Sequence, residues 1–203
     1  MIDFLYSLDV AIFHFMNTGL SCAAGDFVWP FVTDYDKILA VRIVLVAVWL
    51  WLVIKGGTRG RTAAFLVIVV LVCSDQLSSF VVKPIADRPR PCQIVNGVPA
   101  VANVHLLVGC GGGKSFPSSH AVNNFAVATL FTLYYKRSGY YVYAWATLVA
   151  LSRVFVGVHY PSDILGGAAI GFLVTWLIVT GWRAVTRRWI PGWVVDNVEQ
   201  KSP

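Results

Sequence analysis

The chain has 203 residues, 57% of them hydrophobic and only 13% charged, with a mean hydropathy of +0.69. Ordinary soluble domains carry about 25% charged residues, so that class is excluded and an integral membrane protein is indicated. The net charge of +6 invites a nucleic-acid reading, but the cations are divided between the two ends of the apolar runs, and anionic lipid headgroups are the better partner.

Residues 1–36 contain Asp3, Asp9, Asp26, Asp34 and Asp36 and no Lys or Arg, so nothing anchors this end in the cytoplasm. Within 2–16, Leu5, Leu8, Ile12 and Phe15 recur at helical spacing beside Asp9 and His14, which predicts an interfacial helix. The basic leading region of a cleavable signal peptide is missing. Apolar runs then follow at 38–54, 63–82, 121–135, 140–158 and 164–182, close to the roughly 17–25 residues a helix needs to cross the hydrocarbon. Backbone groups find no water partner in lipid, so these runs are expected to be helices. The third is short, but residues 117–119 can open the same helix.

The expected fold is all-α, a polytopic membrane bundle of five spans with an external N-terminus and a cytoplasmic C-terminus. Six spans, with part of 4–33 crossing, is the alternative. The expected organisation is an interfacial segment at 1–36, a membrane domain at 37–189 with an external loop at 92–116, and a cytoplasmic tail at 190–203. Lys55, Arg59 and Arg61, then Lys136 and Arg137, then Arg183, Arg187 and Arg188 follow the first, third and fifth runs and mark those loops as cytoplasmic. Lys37, Lys83, Arg88, Arg90, Lys114 and Arg153 at the opposite ends break the rule. Most lie in or beside three clusters, which reads as a phosphate site and not as a topology signal.

Cys73 falls in a predicted span and reads as a packing residue. Cys92 and Cys110 share the external loop with 17 residues between them, where an oxidising compartment permits a disulfide, with Cys22 as a competing partner. Closing such a loop contributes on the order of 3 kcal/mol in the chain-entropy model.

The clusters are 83–91 (KPIADRPRP), 117–120 (PSSH) and 152–163 (SRVFVGVHYPSD), each at the external end of an apolar run. A transferring phosphoryl group spreads charge over its equatorial oxygens and needs several fixed donors. Arg90 and Arg153 supply planar forks, and Lys83 a mobile point charge. Ser118 and Ser119 add hydroxyls and the free N–H groups of a helix N-terminus. Two histidines permit a division of labour, one attacking phosphorus and the other protonating the departing oxygen. Asp163 is the candidate partner that orients His159, although a carboxylate there also simply favours a helix N-terminus. Pro161 disfavours helix at Tyr160, so His159 should precede the last helix with Asp163 in its first turn. Taken singly, each cation is equally well a snorkelling anchor.

In these motifs the chain resembles the type 2 phosphatidic acid phosphatase family of membrane lipid phosphatases. The signatures are Lys83 with six residues before Arg90-Pro91, then Pro117-Ser118-Ser119-His120, then Ser152-Arg153 with five residues before His159 and three before Asp163. The second commonly reads Pro-Ser-Gly-His, so Ser119 departs from it and narrows the pocket unless it acts through its backbone. The resemblance implies metal-independent, cofactor-free hydrolysis in two steps. His159 becomes phosphorylated with help from Asp163, His120 is the acid and then the base, and Lys83, Arg90, Ser118, Ser119 and Arg153 hold the phosphate. Arg88 and Lys114 are second-rank candidates for a headgroup or second phosphate. The family also contains soluble phosphatases and haloperoxidases, so fold alone does not assign activity. The leading substrate expectation is undecaprenyl diphosphate at the outer face of the inner membrane. Phosphatidylglycerophosphate, phosphatidic acid and lipid A phosphate are alternatives, as is a lipid phosphotransferase using the same intermediate. Oligomeric state is not written in the sequence.

Overall fold

Each of the five apolar runs becomes a helix in the computed structural model, which describes residues 2–189; the tail expected at 190–203 lies outside the described residues. Two helices come first, α1 (Ile2–His14), ending in a π turn (Phe15–Gly19), and α2 (Ala23–Thr33). α3 (Leu39–Lys55) and α4 (Gly57–Gln76) form an antiparallel hairpin, and α4 runs on through a π segment (Leu77–Val82) into α5 (Lys83–Ala86). α6 (Ser119–Tyr134), α7 (Gly139–Phe155) and α8 (Pro161–Trp189) complete the bundle.

The boundaries follow from local chemistry. Gly57 has φ 58° and lets the chain reverse between α3 and α4. Asp87, with φ 43°, ends α5 in the left-handed region, and Pro89 and Pro91 forbid its resumption. α8 opens with Pro161 at its first position, where the missing N–H costs nothing. Gly57–Ala86 and Pro161–Trp189 are each long and apolar enough to cross a membrane. α3, α6 and α7 contain 17, 16 and 17 residues, about 25 Å of helix each.

α1 and the π turn that follows it turn Leu5, Leu8, Ile12 and Phe15 outward, and α1 buries Phe13 and Asp9. α2, which the sequence reading did not separate out, lies on α7 through Trp29 stacked on Phe155 at 4.4 Å. The expected all-α fold needs one small correction. In the 92–116 loop, β1 (Ile94–Val95) pairs antiparallel with β2 (Val98–Pro99), Val95 facing Val98. The cause is Asn96-Gly97, both at positive φ, the pair that a two-residue hairpin turn demands. Cys92 and Cys110 are disulfide-bonded behind this hairpin, with Cα atoms 5.8 Å apart.

Large apolar side chains face outward and small residues face inward. Ile43, Val46, Trp51, Phe65, Phe172 and Leu177 are exposed, whereas Ala63, Ala121, Ala126 and Ala150 are buried. Packing of helices in lipid relies on such small residues, because the tails are as apolar as leucine and only close backbone approach adds contact. α6 lies between α4, α7 and α8 and meets α8 along Gly167, Gly171 and Thr175, which share one face at a spacing of four. A Cβ on Gly171 would sit 2.3 Å from the Val122 carbonyl oxygen, one on Gly167 2.8 Å from that of Ser118, and Thr175 donates to the Ala126 carbonyl at 3.1 Å. At the basic end, Arg59 donates to the Tyr134 carbonyl and Arg183 to that of Leu133 at 3.1 Å. These arginines therefore also satisfy the C-terminal carbonyls of α6.

Gly171→Leu should separate α6 from α8 at a cost of about 3 kcal/mol, the upper range for overpacking. The expected readout is a lower thermal midpoint of the detergent-purified protein and loss of phosphate release, while Gly181→Leu, at a position with open space around it, should match the wild type in both.

Candidate active site

Four chain segments deliver the clusters to one end of the bundle. Lys83 sits where α4 has run on into α5, and Arg88 and Arg90 lie in the Pro-rich stretch just beyond it. Ser118, Ser119 and His120 form the cap and first turn of α6. Arg153 is in the last turn of α7, His159 lies in the short link to α8, and Asp163 is in the first turn of α8. The link is shaped by Gly157 at φ 86°, and both Val158 and His159 donate their N–H groups to the Arg153 carbonyl, at 3.1 and 3.2 Å. One arginine thus holds the histidine loop through its backbone. The Ser118 N–H donates to the Asp163 carbonyl at 3.1 Å and ties the starts of α6 and α8 together.

Asp163 is fully buried and its carboxylate is saturated with donors. Oδ2 accepts from Ser115 Oγ at 2.5 Å and from the Tyr160 N–H at 2.8 Å, and Oδ1 accepts from Arg88 Nη1 at 2.9 Å. The Tyr160 contact is the backbone half of a capping box, since Asp163 is the third residue of α8 and reaches back to the residue before it. His159, 2% exposed, turns Nδ1 toward Asp163 Oδ2 at 3.4 Å and Ser115 Oγ at 3.5 Å. Both are long for hydrogen bonds, as is common in unliganded sites. Burial pushes the His159 imidazole down to about 4, against the opposing pull of Asp163, so at neutral pH it carries a lone pair and no charge.

Lys83, Arg90 and Arg153 are held by neutral groups. Lys83 Nζ donates to Ser119 Oγ at 2.7 Å. Arg90 donates from Nε to the Gly113 carbonyl at 3.0 Å and from Nη1 to that of Cys110 at 2.8 Å. Arg153 Nη1 donates to Thr33 Oγ1 at 2.6 Å. Among the described residues none of the three forms an ion pair. Arg153 Nε and Ser118 Oγ are buried without hydrogen-bond partners there. Burial lowers the Arg90 pKa, but a guanidinium stays charged at neutral pH. His120 shares this neighbourhood, with Arg153, His159, Lys37 and Arg90 acting on it, and its carbonyl accepts from Asn124 Nδ2 at 2.9 Å. Uncompensated cations, orphan donors and two histidines make a site for a tetrahedral anion and for proton transfer around it.

The glycines before the second cluster have a specific use. Gly111, at φ 70°, would place a Cβ 3.2 Å from Arg90 Nη1, so its absence lets the loop close on that guanidinium. Two expected residues are placed differently from their sequence reading. Arg88, a candidate for headgroup contact, is instead engaged by Asp9 at 2.6 Å and Asp163 at 2.9 Å, and its cation lies 3.8 Å over the Tyr160 ring. Its charge is consumed inside the protein. Lys114 pairs with Asp87 at the rim, both side chains largely open to solvent. Ser115, Thr33 and Asp9 were missed. Ser115 and Thr33 carry no sequence signal, while Asp9 had one, a carboxylate between the apolar Leu8 and Val10 in the middle of α1.

The profile of the PAP2 superfamily matches residues 63–187. The chain is 30% identical over 182 residues to a lipid A 4'-phosphatase of Bacteroides thetaiotaomicron, covering 87% of this chain and 78% of that protein. It is 25% identical over 152 residues to the undecaprenyl-diphosphatase BcrC of Bacillus subtilis, covering 75% and 72%. Its fold is similar to the crystal structure of a transmembrane PAP2 type phosphatidylglycerolphosphate phosphatase from Bacillus subtilis, with a TM-score of 0.69 at 23% identity, covering 91% of this chain and 89% of that one. With more than half of its length inside the family profile and the three clusters folded into one site, the chain belongs to the PAP2 superfamily, as a membrane phosphoric ester hydrolase acting on lipids.

Proposed function

We propose that the protein removes phosphate from a membrane lipid phosphate or diphosphate through a phosphohistidine at His159. The observation that carries this reading is the set of three cations without ion-pair partners among the described residues, with two orphan polar groups, around a neutral buried histidine backed by a carboxylate. With Nδ1 turned to Asp163, Nε2 of His159 attacks phosphorus, and the bond from phosphorus to the leaving oxygen breaks. That oxygen takes the proton of His120. His120 then removes a proton from water, whose oxygen attacks the phosphohistidine, releasing inorganic phosphate and restoring His159. Lys83, Arg90, Arg153, Ser118 and Ser119 stabilise the equatorial oxygens throughout.

A cavity of about 570 Å³ supports the lipid nature of the substrate. It lies between α3, α4, α6 and α7, is lined by Leu45, Val48, Val67, Leu71, Val127 and Trp145, and reaches Asn124, one helical turn below His120. Its size is that of a ligand pocket, and its walls suit an apolar tail. We assign five spans to α3, the continuous α4–α5 helix, α6, α7 and α8, and place the site on the external face, opposite the basic end. Undecaprenyl diphosphate is the leading substrate, since its headgroup can be met at that face with its tail in the bilayer. Lipid A phosphate is the second reading, favoured by the 30% identical relative.

Phosphate release should be measured on purified protein with undecaprenyl diphosphate, lipid A, phosphatidylglycerophosphate and phosphatidic acid. Hydrolysis of the first at the highest kcat/KM, with a loss of about a hundredfold or more in His159→Ala and His120→Ala, is the expected result; near-normal release by either variant would remove the mechanism. Because protonated His159 cannot attack, the acidic limb of kcat/KM that His159 sets should lie near its value of about 4. A decline centred at the ordinary histidine value of about 6.5 would show that His159 is not desolvated. Val127→Trp should raise KM for a long-tailed substrate about tenfold and leave a short-chain, water-soluble phosphate unaffected; equal losses on both would mean that the cavity does not hold the tail.

A further inference from the structure

Asp9 lies in α1, outside the residues matched by the family profile, yet its side chain is 10% exposed and enters the network behind His159. Its Oδ1 accepts from the Ser162 N–H at 2.9 Å, and its Oδ2 accepts from Ser162 Oγ at 2.5 Å and from Arg88 Nη2 at 2.6 Å. Arg88 Nη1 donates in turn to Ser162 Oγ at 2.7 Å and Asp163 Oδ1 at 2.9 Å. A carboxylate from one helix thus caps the first turn of another, and a single guanidinium joins it to the carboxylate facing His159.

We propose that Asp9 and Arg88 are positioning residues for the His159–Asp163 pair, with Asp9 acting through Arg88 to set both the orientation and the net charge of the group that supports the phosphohistidine. The proposal rests on the catalytic reading above. The guanidinium fixes the direction of the Asp163 carboxylate, which is cut off from water and keeps Ser115 Oγ and the Tyr160 N–H as its other donors. Left alone with Asp163, however, that cation would cancel the carboxylate's field at His159. Asp9 restores the balance, since two carboxylates and one guanidinium sum to a single negative charge beside the imidazole. The other charged or titratable groups facing His159 are Arg153 from α7, Arg90 from the Pro-rich stretch after α5 and His120 from α6. Two of them are permanently cationic, so the residual negative charge of the trio is what favours a positive ring. Neither Asp9 nor Arg88 is among the groups assigned to the substrate phosphate, so the effect should fall on kcat and not on KM.

Kinetics of the full-length detergent-purified protein test this directly. Asp9→Asn keeps the shape of the side chain and removes its charge. It should lower kcat about tenfold with KM unchanged, and shift the acidic limb of kcat/KM to lower pH, because the imidazolium loses support. Arg88→Gln should lower kcat about a hundredfold and shift the limb the opposite way, because Asp163 then faces His159 without a counter-charge. Adding Asp9→Asn to Arg88→Gln should cost nothing further in kcat, the mark of two residues acting through one contact. Asp9→Glu should return kcat to within about threefold of the wild type. Unchanged kcat in Asp9→Asn, limbs that move in the same direction, or fully additive losses would overturn the proposal. Should Arg88→Gln not fold, the Asp9→Asn and Asp9→Glu pair decides it alone, an unmoved limb or equal kcat in the two being the contrary result. His159→Ala separates the two readings. An inactive His159→Ala beside an Asp9→Asn of wild-type behaviour sinks only this inference, and an active His159→Ala sinks the catalytic reading beneath it.

Discussion

A carboxylate with no exposure to solvent has to be surrounded by donors, and that requirement organises the end of the bundle that holds the histidines. Asp163 takes hydrogen bonds from Ser115 in the 92–116 loop, Tyr160 just before α8 and Arg88 beyond α5, while its own carbonyl receives the Ser118 N–H from the cap of α6. Each donor comes from a different piece of chain. Desolvating an ion without such partners costs several kcal/mol or more, so the segments are held together by what each would lose on leaving. His159 inherits its position from the same residue, because it lies against the one oxygen whose orientation the other donors have set.

That anchoring depends on helices that can come close enough. The strip of Gly167, Gly171 and Thr175 lets α8 lie against α6 at backbone distance, which brings the starts of both helices within hydrogen-bond reach. The N-terminus of α6 and the first turn of α8 each present unsatisfied N–H groups. One end uses the Asp163 side chain and Asp9, the other stays available for an anion. Catalytic geometry and membrane packing are therefore consequences of one interface, and a residue as remote from the chemistry as Gly171 belongs to both.

The helical bundle was legible in the sequence because apolar runs of membrane length admit few alternatives. The three clusters were legible because their spacing survives whatever tertiary arrangement follows, and Pro161 marked the start of α8. The tasks of individual arginines were not legible. Arg88 and Arg90 are two residues apart in one Pro-rich segment, and only the fold shows that the first meets two carboxylates while the second meets the carbonyls of Cys110 and Gly113. Partners such as Ser115, Thr33 and Asp9 are distant in sequence from what they touch and of ordinary residue type. The hairpin at Asn96-Gly97 did carry a local signal, and in an otherwise helical chain it was easily passed over.

The contrast between those two arginines also explains how a membrane protein can gather so many cations at one end of its bundle. A cation neutralised by an internal carboxylate, such as Arg88, no longer offers its charge to an approaching headgroup. Lys83, Arg90 and Arg153 are held by hydroxyls and carbonyls, which fix their directions without cancelling their charge. Mutual repulsion among them is then a standing cost, one that a phosphate bound as proposed above relieves as well as forming new bonds. Because charge on the phosphoryl group shifts among its oxygens during transfer, donors already fixed in place need no reorganisation at that moment. Neutral anchoring of each cation is therefore the property that makes the cluster a site, and the disulfide-bonded loop that supplies the carbonyls for Arg90 is as much a part of it as the histidines.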